Sequence, residues 1–385
     1  MLFLLRFDTK QMECDFFMVS FDQVWLRNTP MDSRVKYIDI AKGISIFLVA
    51  IFHSRLPVYF PETIWAMSLF RMPLFFLLSG VFFSFLVKPK KFILEKSEVL
   101  LKPYFAVLLI VLAIDAISGS EGLLYQLNGI LYGNGDTIKW APLWFLTHLF
   151  AVYVFTYILF CIFKFHLLPV TLQTITLMTF MLLGTLFVQF FWYADIQIFN
   201  HSMQLPGLPF SIDIILITSV FFISGSLLKD TLMAFKPNLL LLTFAIAMFY
   251  LICIYSDAHI DLNKRVYNSP LYSTLGALFG IYAVLSVAWY ISKVEWLSYL
   301  PLRLGEASLY ILIFHVFIQE NTYPYFVEDI SDETTLMVMG TVSFLLSVLL
   351  PIGIKWMVLR SDILSLLFLR FKYNNLLQRS FSTRR

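Results

Sequence analysis

The sequence predicts an all-α integral membrane helix bundle of about ten transmembrane helices, with both termini in the cytoplasm. Composition is the first reason: 59% of the 385 residues are hydrophobic, 14% are charged, and the mean hydropathy is +0.79. Segment length is the second, because many apolar runs reach the ~20 residues with which a helix crosses a bilayer. Charge placement is the third. Of the 28 Lys and Arg residues, 23 fall on one side of the alternating spans, and the positive-inside rule assigns that side to the cytoplasm.

Ten apolar runs account for most of the chain, and polar or Gly/Pro-containing connectors separate them. None of these connectors is long enough to form a soluble domain. The runs show no internal repeat of the kind that transporters often carry. The expected spans are residues 39–58, 64–87, 103–119, 142–163, 167–193, 211–228, 238–256, 270–291, 302–320 and 334–359.

Three regions follow from this pattern. Residues 1–30 mix short apolar runs with charges and lack the organisation of a signal peptide, so we expect a poorly ordered N-terminal extension. Residues 31–360 form the membrane domain. Residues 361–385 alternate apolar and basic positions, which predicts an interfacial helix and a basic cytoplasmic tail on anionic lipid. Since the positive-inside rule already accounts for such a tail, no nucleic-acid partner is expected.

The segment from Arg34 to Ser84 carries polar residues in unusual places. His53 and Arg71 lie in apolar runs of membrane length, where an ionisable side chain costs several kcal/mol unless it is paired or wetted, and by default marks function. On an ideal helix, Lys42 and His53 are eleven residues apart, which is about 16 Å along the axis on nearly the same face. Asp39 shares this stripe. The sequence thus predicts a charged mouth that leads to a deep histidine.

Both intramembrane residues also have a structural interpretation. A histidine can tie two helices together through a hydrogen bond. An arginine near a span end can extend its charge to the outer interface while its stem stays in the apolar layer. The stripe formed with Asp39 and Lys42 favours the functional interpretation of His53.

Several positions of this segment form a recognisable pattern, namely Arg34, Tyr37-Ile38-Asp39, Lys42-Gly43, His53, Phe70, Met72 to Phe76 and Ser79-Gly80. In this pattern the chain resembles membrane acyltransferase family 3, and within it the fucose 4-O-acetylase-like branch. Members typically have a basic residue, ten intervening positions and a histidine in the first span, as Lys42 and His53 do here. The chain departs from the branch at Arg71, where histidine is usual, and this bears on substrate identity more than on reaction type.

The resemblance implies a membrane-embedded O-acyltransferase in the cytoplasmic membrane of a bacterium. It would move acetyl from cytoplasmic acetyl-CoA to a hydroxyl of a cell-surface or lipid-linked polysaccharide sugar, with no permanently bound cofactor. His53 is then the expected catalytic residue. It can act as a general base on the attacking hydroxyl, or carry the acyl group as a covalent intermediate, and the sequence leaves both open.

The remaining site residues are predicted in two groups. Lysines on the cytoplasmic side can hold the phosphates of coenzyme A as point charges. Lysines that serve only to set the membrane topology would give the same sequence pattern. Looser similarity to the family marks the starts of the fourth and ninth spans, where an interfacial anchor and a helix-to-helix hydrogen bond are the structural alternatives. The donor group is Lys42, Lys91, Lys96 and Lys102, and the acceptor group is Asp39, Arg71, Trp144, Glu306 and His315.

Two other classes of protein remain as alternatives to an enzyme. In a transporter or flippase for a lipid-linked saccharide, intramembrane charges would line a pathway, but the polar residues cluster in spans one, two and nine rather than in matching halves. A purely structural membrane protein would need none of these residues. No Ser-His-Asp order, nucleophile elbow, HExxH motif or Cys/His ligand spacing supports a hydrolase or a metal site. The three cysteines are far apart and read as free thiols.

Overall fold

A computed structural model describes residues 35–198, 201–327, 330 and 332–370. The N-terminal extension and most of the basic tail lie outside the described residues. The described chain is helical apart from two short hairpins. Its elements are α1 Lys36–Phe52, α2 Leu56–Tyr59, α3 Pro61–Val81, α4 Pro89–Lys96, α5 Lys102–Ile117, α6 Leu123–Tyr132, α7 Trp144–Cys161, α8 Val170–Leu186, β1 Trp192–Ile198, β2 His201–Pro206, α9 Ile215–Leu227, α10 Lys229–Met233, α11 Leu239–Tyr255, β3 His259–Asp261, β4 Val266–Asn268, α12 Pro270–Ser292, α13 Glu295–Glu306, α14 Ser308–Val327, α15 Glu333–Val358 and α16 Asp362–Phe368.

Helices occur at all ten places where spans are expected, but they differ in length. Among the described residues, six helical stretches are long and apolar enough to cross a membrane, and α13 with α14 would be a seventh if the two count as one span. Helices α1, α8 and α11 are shorter, with 17 residues each. The chain is therefore an all-helical, multi-pass membrane protein, and the count of ten spans and the cytoplasmic termini stay predictions. The six helical stretches that are long and apolar enough to cross a membrane are Pro61–Val81, Pro89–Ile117, Ala141–Cys161, Pro209–Leu227, Pro270–Ser292 and Glu333–Val358.

Helix α1 occupies the centre of the bundle, where it packs against α3, α12, α13 and α14. Its closest neighbour is α13. A Cβ on Gly43 would collide with the carbonyl oxygen of Pro301, and one on Gly305 would collide with that of Asp39. Because only glycine allows this approach, α13 lies directly against the first half of α1.

The first and ninth expected spans end differently from the prediction. Helix α1 stops at Phe52 rather than near residue 58, because the Ser54 hydroxyl donates to the Ile51 carbonyl at 2.6 Å and α2 starts immediately afterwards. The span expected at 302–320 breaks at Ala307, where α13 and α14 meet at 80°. Residues 302–306 thus belong to α13.

Two hairpins interrupt the predicted all-α pattern, and together we call them the hairpin cap. The first, β1–β2, fills the loop expected at 194–210, and the second, β3–β4, joins α11 to α12. A buried ion pair anchors the second hairpin: Arg265 Nε donates to Asp213 Oδ2 at 2.7 Å and Arg265 Nη2 donates to Oδ1 at 3.1 Å. Hydrophobic run length does not detect strands this short.

Gly80 has a packing role. A Cβ on Gly80 would collide with the carbonyl oxygen of Phe222, and one on Gly225 with that of Leu77. These two glycines let α3 and α9 approach along their backbones.

Candidate active site

His53 lies at the C-terminal end of α1, as its C-cap residue. Many protein atoms surround the ring of His53, yet part of the residue's surface is exposed. From these two properties we infer that His53 lines a cleft of the bundle. Its side chain makes no hydrogen bond to any described residue, so both ring nitrogens are available to a substrate.

His315, on α14, faces the ring of His53 with 5.2 Å between the ring centroids. It is fully buried. Its Nδ1 lies 2.7 Å from the Ile311 carbonyl and 3.0 Å from that of Leu312. Because carbonyl oxygens only accept, Nδ1 must carry a proton, and in the neutral ring this leaves a lone pair on Nε2. That Nε2 is buried and has no partner among the described residues.

Gln319 holds α14 against α1 beside this pair of histidines. It follows His315 by one helical turn and therefore lies on the same face. Its Nε2 donates to the Ala50 carbonyl at 3.2 Å and to the Ser347 hydroxyl at 2.8 Å. Ala50 is one turn before His53, so this contact fixes the two histidines relative to each other.

Arg71, on α3, brings a positive charge to the same end of the cleft. The residue is 5% exposed, and its guanidinium carbon lies 3.3 Å from the centre of the Phe52 ring. It is close enough to His53 for electrostatic coupling. The structure therefore places this guanidinium inside the bundle, rather than extended to an interface.

The hairpin β3–β4 covers the face of α3 next to Arg71. His259 Nδ1 lies 2.8 Å from the Ser68 hydroxyl, and its ring stacks on Trp65 at 3.7 Å. Burial lowers the pKa of His259, so its imidazole is neutral near pH 7. His53, His315 and Arg71 are hereafter the histidine end of the cleft, and His259 lies at its edge.

The opposite end of α1 carries the predicted lysine mouth. Lys42 Nζ lies 3.5 Å from Asp39 Oδ1 and 3.9 Å from the centre of the Phe82 ring. Both charged side chains are partly exposed, with 21% and 23% of their surface accessible. Lys42 and His53 are eleven positions apart along α1 and its C-cap, which is about 16 Å for an ideal helix.

Glu306 lies at this lysine end and not beside His315. Glu306 ends α13 and follows Gly305, which touches α1 at Asp39. Glu306 Oε2 is 3.4 Å from the ammonium of Lys355 and 3.4 Å from the guanidinium of Arg303. Glu306 and Lys355 thus join Lys42 and Asp39 at what we call the lysine end.

The other predicted donor lysines occupy three different environments. Lys91 is exposed on α4. The ammonium of Lys96 lies 4.1 Å from the centre of the Tyr153 ring, and Lys102 donates to the Leu369 carbonyl at 2.5 Å. Between them Ser97–Leu101 forms a π-helical turn, a type of irregularity frequent at functional sites.

The match to known proteins decides the family. Residues 35–356 fit the family model of the acyltransferase domain. The chain belongs to acyltransferase family 3. No curated protein and no solved structure matches it.

Family membership and the apolar helices together identify a membrane acyltransferase. The matched region of acyltransferase family 3 includes the histidine end and the lysine end. It also covers every predicted site residue, from Asp39 to His315. The fucose 4-O-acetylase-like branch stays a prediction.

Trp144 and its neighbour His148 lie elsewhere in the acyltransferase domain. Trp144 is buried, with its ring 5.6 Å from that of His148 and 6.3 Å from that of Phe145. His148 has both nitrogens satisfied, Nδ1 by the Phe210 carbonyl at 3.2 Å and Nε2 by the Thr218 hydroxyl at 2.9 Å. Nothing in these contacts joins Trp144 to His53, and its role in binding sugar stays a prediction.

No group of three or more His, Cys, Asp or Glu residues able to hold a metal occurs in the described part of the chain. Cys161 and Cys253 are free thiols there. The residues that the sequence interpretation missed are Gln319 and Lys355. A polar residue one turn after His315, and a lysine in the last turn of an apolar span, were the available signals.

Proposed function

We propose that this membrane acyltransferase is an O-acetyltransferase that moves acetyl from acetyl-CoA to a hydroxyl of a cell-surface or lipid-linked polysaccharide sugar. The observation that carries the proposal is the pairing of an accessible His53 with a buried His315 whose Nε2 is unpartnered. A histidine base with a second group held beside it is the usual arrangement for activating a hydroxyl nucleophile.

The reaction needs one proton to be moved twice. His53 takes the proton of the acceptor hydroxyl while its oxygen attacks the thioester carbonyl. The resulting tetrahedral intermediate then expels the thiolate, and His53 returns the proton to the sulfur. The products are the sugar acetate and coenzyme A. While His53 is protonated, the Nε2 lone pair of His315 is the acceptor available to hold it.

The lysine end suits the donor. Lys42 places an ammonium group at this end, and such point charges attract the phosphates of coenzyme A. We propose that this end faces the cytoplasm, where acetyl-CoA is made, as the distribution of Lys and Arg predicts. The thioester arm would then extend along α1 toward His53.

The acceptor would meet the acetyl group at the histidine end. Arg71 and His315 lie within the same part of the cleft as His53. The distance between the two ends therefore separates the donor's charged part from the acceptor's hydroxyl. This arrangement allows donor and acceptor to reach His53 from opposite sides.

Isotope transfer tests the proposal. Membranes containing the protein are supplied with acetyl-CoA labelled in the acetyl group and with surface polysaccharide from the producing cells, deacetylated by mild alkali. Mass spectrometry should find labelled O-acetyl groups on the polymer only when the protein is present. Movement of a lipid-linked saccharide across the membrane without acetylation would contradict the proposal and favour a flippase.

A further inference from the structure

Arg71 has no anionic partner among the described residues. Its Nη1 is buried without a hydrogen bond, and none of its nitrogens donates to a described residue. Asp261 on β3 is near enough to interact electrostatically but not to form an ion pair. Phe52 covers one face of the guanidinium, which leaves its edge for another group.

Such an arrangement is costly unless something else completes it. A guanidinium keeps its charge in proteins, and moving an ion out of water costs several kcal/mol unless a counterion and hydrogen bonds replace the water. Lys355, which is also buried, has Glu306 as its counterion. For Arg71 the missing anion has to come from outside the described chain.

We propose that Arg71 binds an anionic group of the acceptor, a carboxylate or a phosphate, and thereby places the acceptor hydroxyl beside His53. The planar fork of an arginine binds either group through two parallel N–H···O bonds. The inference rests on the proposed function, and it specifies the acceptor as an acidic or phosphorylated sugar.

The position of Arg71 favours the acceptor over the donor as the source of the anion. The phosphates of coenzyme A are expected at the lysine end, about three turns of α1 from His53. Arg71 is at the histidine end, next to the hairpin β3–β4 and six residues after the 53% exposed Trp65. A sugar that enters beside this hairpin would meet Arg71 first.

The test compares charged and neutralised forms of one acceptor. Deacetylated surface polysaccharide is offered untreated, after carbodiimide amidation of its carboxylates, and after removal of its phosphates with hydrogen fluoride. The protein is used as wild type, as Arg71→Gln, and as Arg360→Gln. The last variant removes an exposed arginine that stacks on Trp356 at 3.6 Å, outside the cleft.

We expect wild type to acetylate the untreated polymer about tenfold or more faster than one of the neutralised polymers, since hydrogen bonds to a charged group contribute on this scale. The treatment that lowers the rate identifies carboxylate or phosphate. Arg71→Gln should lose the preference, whereas Arg360→Gln should keep it. Equal rates on all three polymers with wild type would overturn the proposal. So would a uniform loss in Arg71→Gln, which would assign the guanidinium to the reaction's transient oxyanion.

A binding measurement separates this inference from the proposed function. Thermal unfolding of the purified protein in detergent is measured in the presence of glucuronate, inorganic phosphate or glucose. One of the two anions should raise the melting temperature of wild type and of Arg360→Gln but not of Arg71→Gln, while glucose has no such effect. If no polymer is acetylated, the proposed function fails, and the shift in melting temperature alone then tests whether Arg71 binds an anion. Its absence in wild type overturns the anion site.

Discussion

Two buried arginines of this chain show how the same residue type serves different ends. Arg265 in the hairpin cap has a counterion and further partners. It donates two hydrogen bonds to Asp213 and one from Nη1 to the Asn263 carbonyl at 2.7 Å, and it lies 4.4 Å from the centre of the Trp192 ring. Arg71 at the histidine end has an aromatic ring and no anion. The ion pair of Arg265 stabilises the fold, whereas Arg71 is the arginine for which we propose an anionic ligand.

The histidines repeat this contrast. His148 has a partner for each ring nitrogen, while His315 uses only Nδ1 and leaves Nε2 unpartnered. Buried polar groups in proteins are generally hydrogen-bonded, and the exceptions call for an explanation. Among the described residues, Arg71 and His315 are two of several such exceptions, and these two lie together beside His53. Others lie elsewhere, including Asn263 in the hairpin cap, so it is the position of Arg71 and His315 next to His53 that marks the reactive end.

The largest stability effect is expected in the hairpin cap. Asp213→Ala would leave the guanidinium of Arg265 buried without its anion, and breaking a buried pair in this way costs about 3–5 kcal/mol. Thermal unfolding in detergent should show a large drop in melting temperature. The control is Lys264→Ala, which removes an exposed ammonium that pairs with Asp136 at 2.9 Å, because such surface pairs contribute only about 0.2–1 kcal/mol. Similar drops for both variants would contradict the structural assignment of Arg265.

Arg71→Met should change stability in the opposite direction. Removing an unpaired buried charge and filling its place with an apolar side chain leaves the melting temperature unchanged or raises it. Acetyl transfer should nevertheless fall. A drop in melting temperature comparable to that of Asp213→Ala would show that Arg71 has a structural counterion and would remove the contrast.

His315→Asn is expected to lower the rate without unfolding the protein. An asparagine amide can still donate to the Ile311 carbonyl, but it lacks the ring Nε2 that faces His53. Hydrogen bonds to charged groups contribute about 1.5–3 kcal/mol, so transfer should fall on the order of ten- to a hundredfold. The dependence of the rate on pH should also change, which loss of packing alone would not cause. An unchanged rate and pH profile would exclude His315 from the mechanism.

The smallest effect is expected for His148→Asn. Losing the hydrogen bond to the Thr218 hydroxyl costs about 0.5–1.5 kcal/mol of stability. Transfer should stay close to wild type, because the described residues that His148 contacts, Thr218 and Phe76 among them, do not belong to the histidine end. A loss of activity as large as that of His315→Asn would show that satisfied and unsatisfied histidines do not differ in function here.

Local sequence was sufficient for the features that depend on one segment. Apolar run length predicted where helices lie, and the eleven-residue interval predicted the separation of Lys42 and His53 along α1, with a mouth of charge at one end. The residue pattern around them predicted the family, which the match over residues 35–356 confirms. These features repeat within a helix or belong to a contiguous motif.

Contacts between distant segments were beyond the same reasoning. Gln319 and the Ala50 carbonyl are 269 positions apart, and no periodicity relates them. Glu306 was grouped with the acceptor residues, and only the close approach of Gly43 and Gly305 shows that it lies next to Asp39 at the lysine end. Arg265 pairs with Asp213, which is 52 positions away, and no local pattern predicts this ion pair.

Replacing His53 tests the central claim most directly. His53→Gln retains a polar side chain of similar reach but cannot take a proton, and loss of a general base lowers rates by about 10²–10⁴-fold. His166→Gln is the matched control, because this histidine stacks on Phe160 beyond the end of α7 and outside the cleft. With equal amounts of folded protein in the membrane, labelled acetyl transfer to polysaccharide should be lost in His53→Gln and kept in His166→Gln. Transfer at the wild-type rate in His53→Gln would contradict the account.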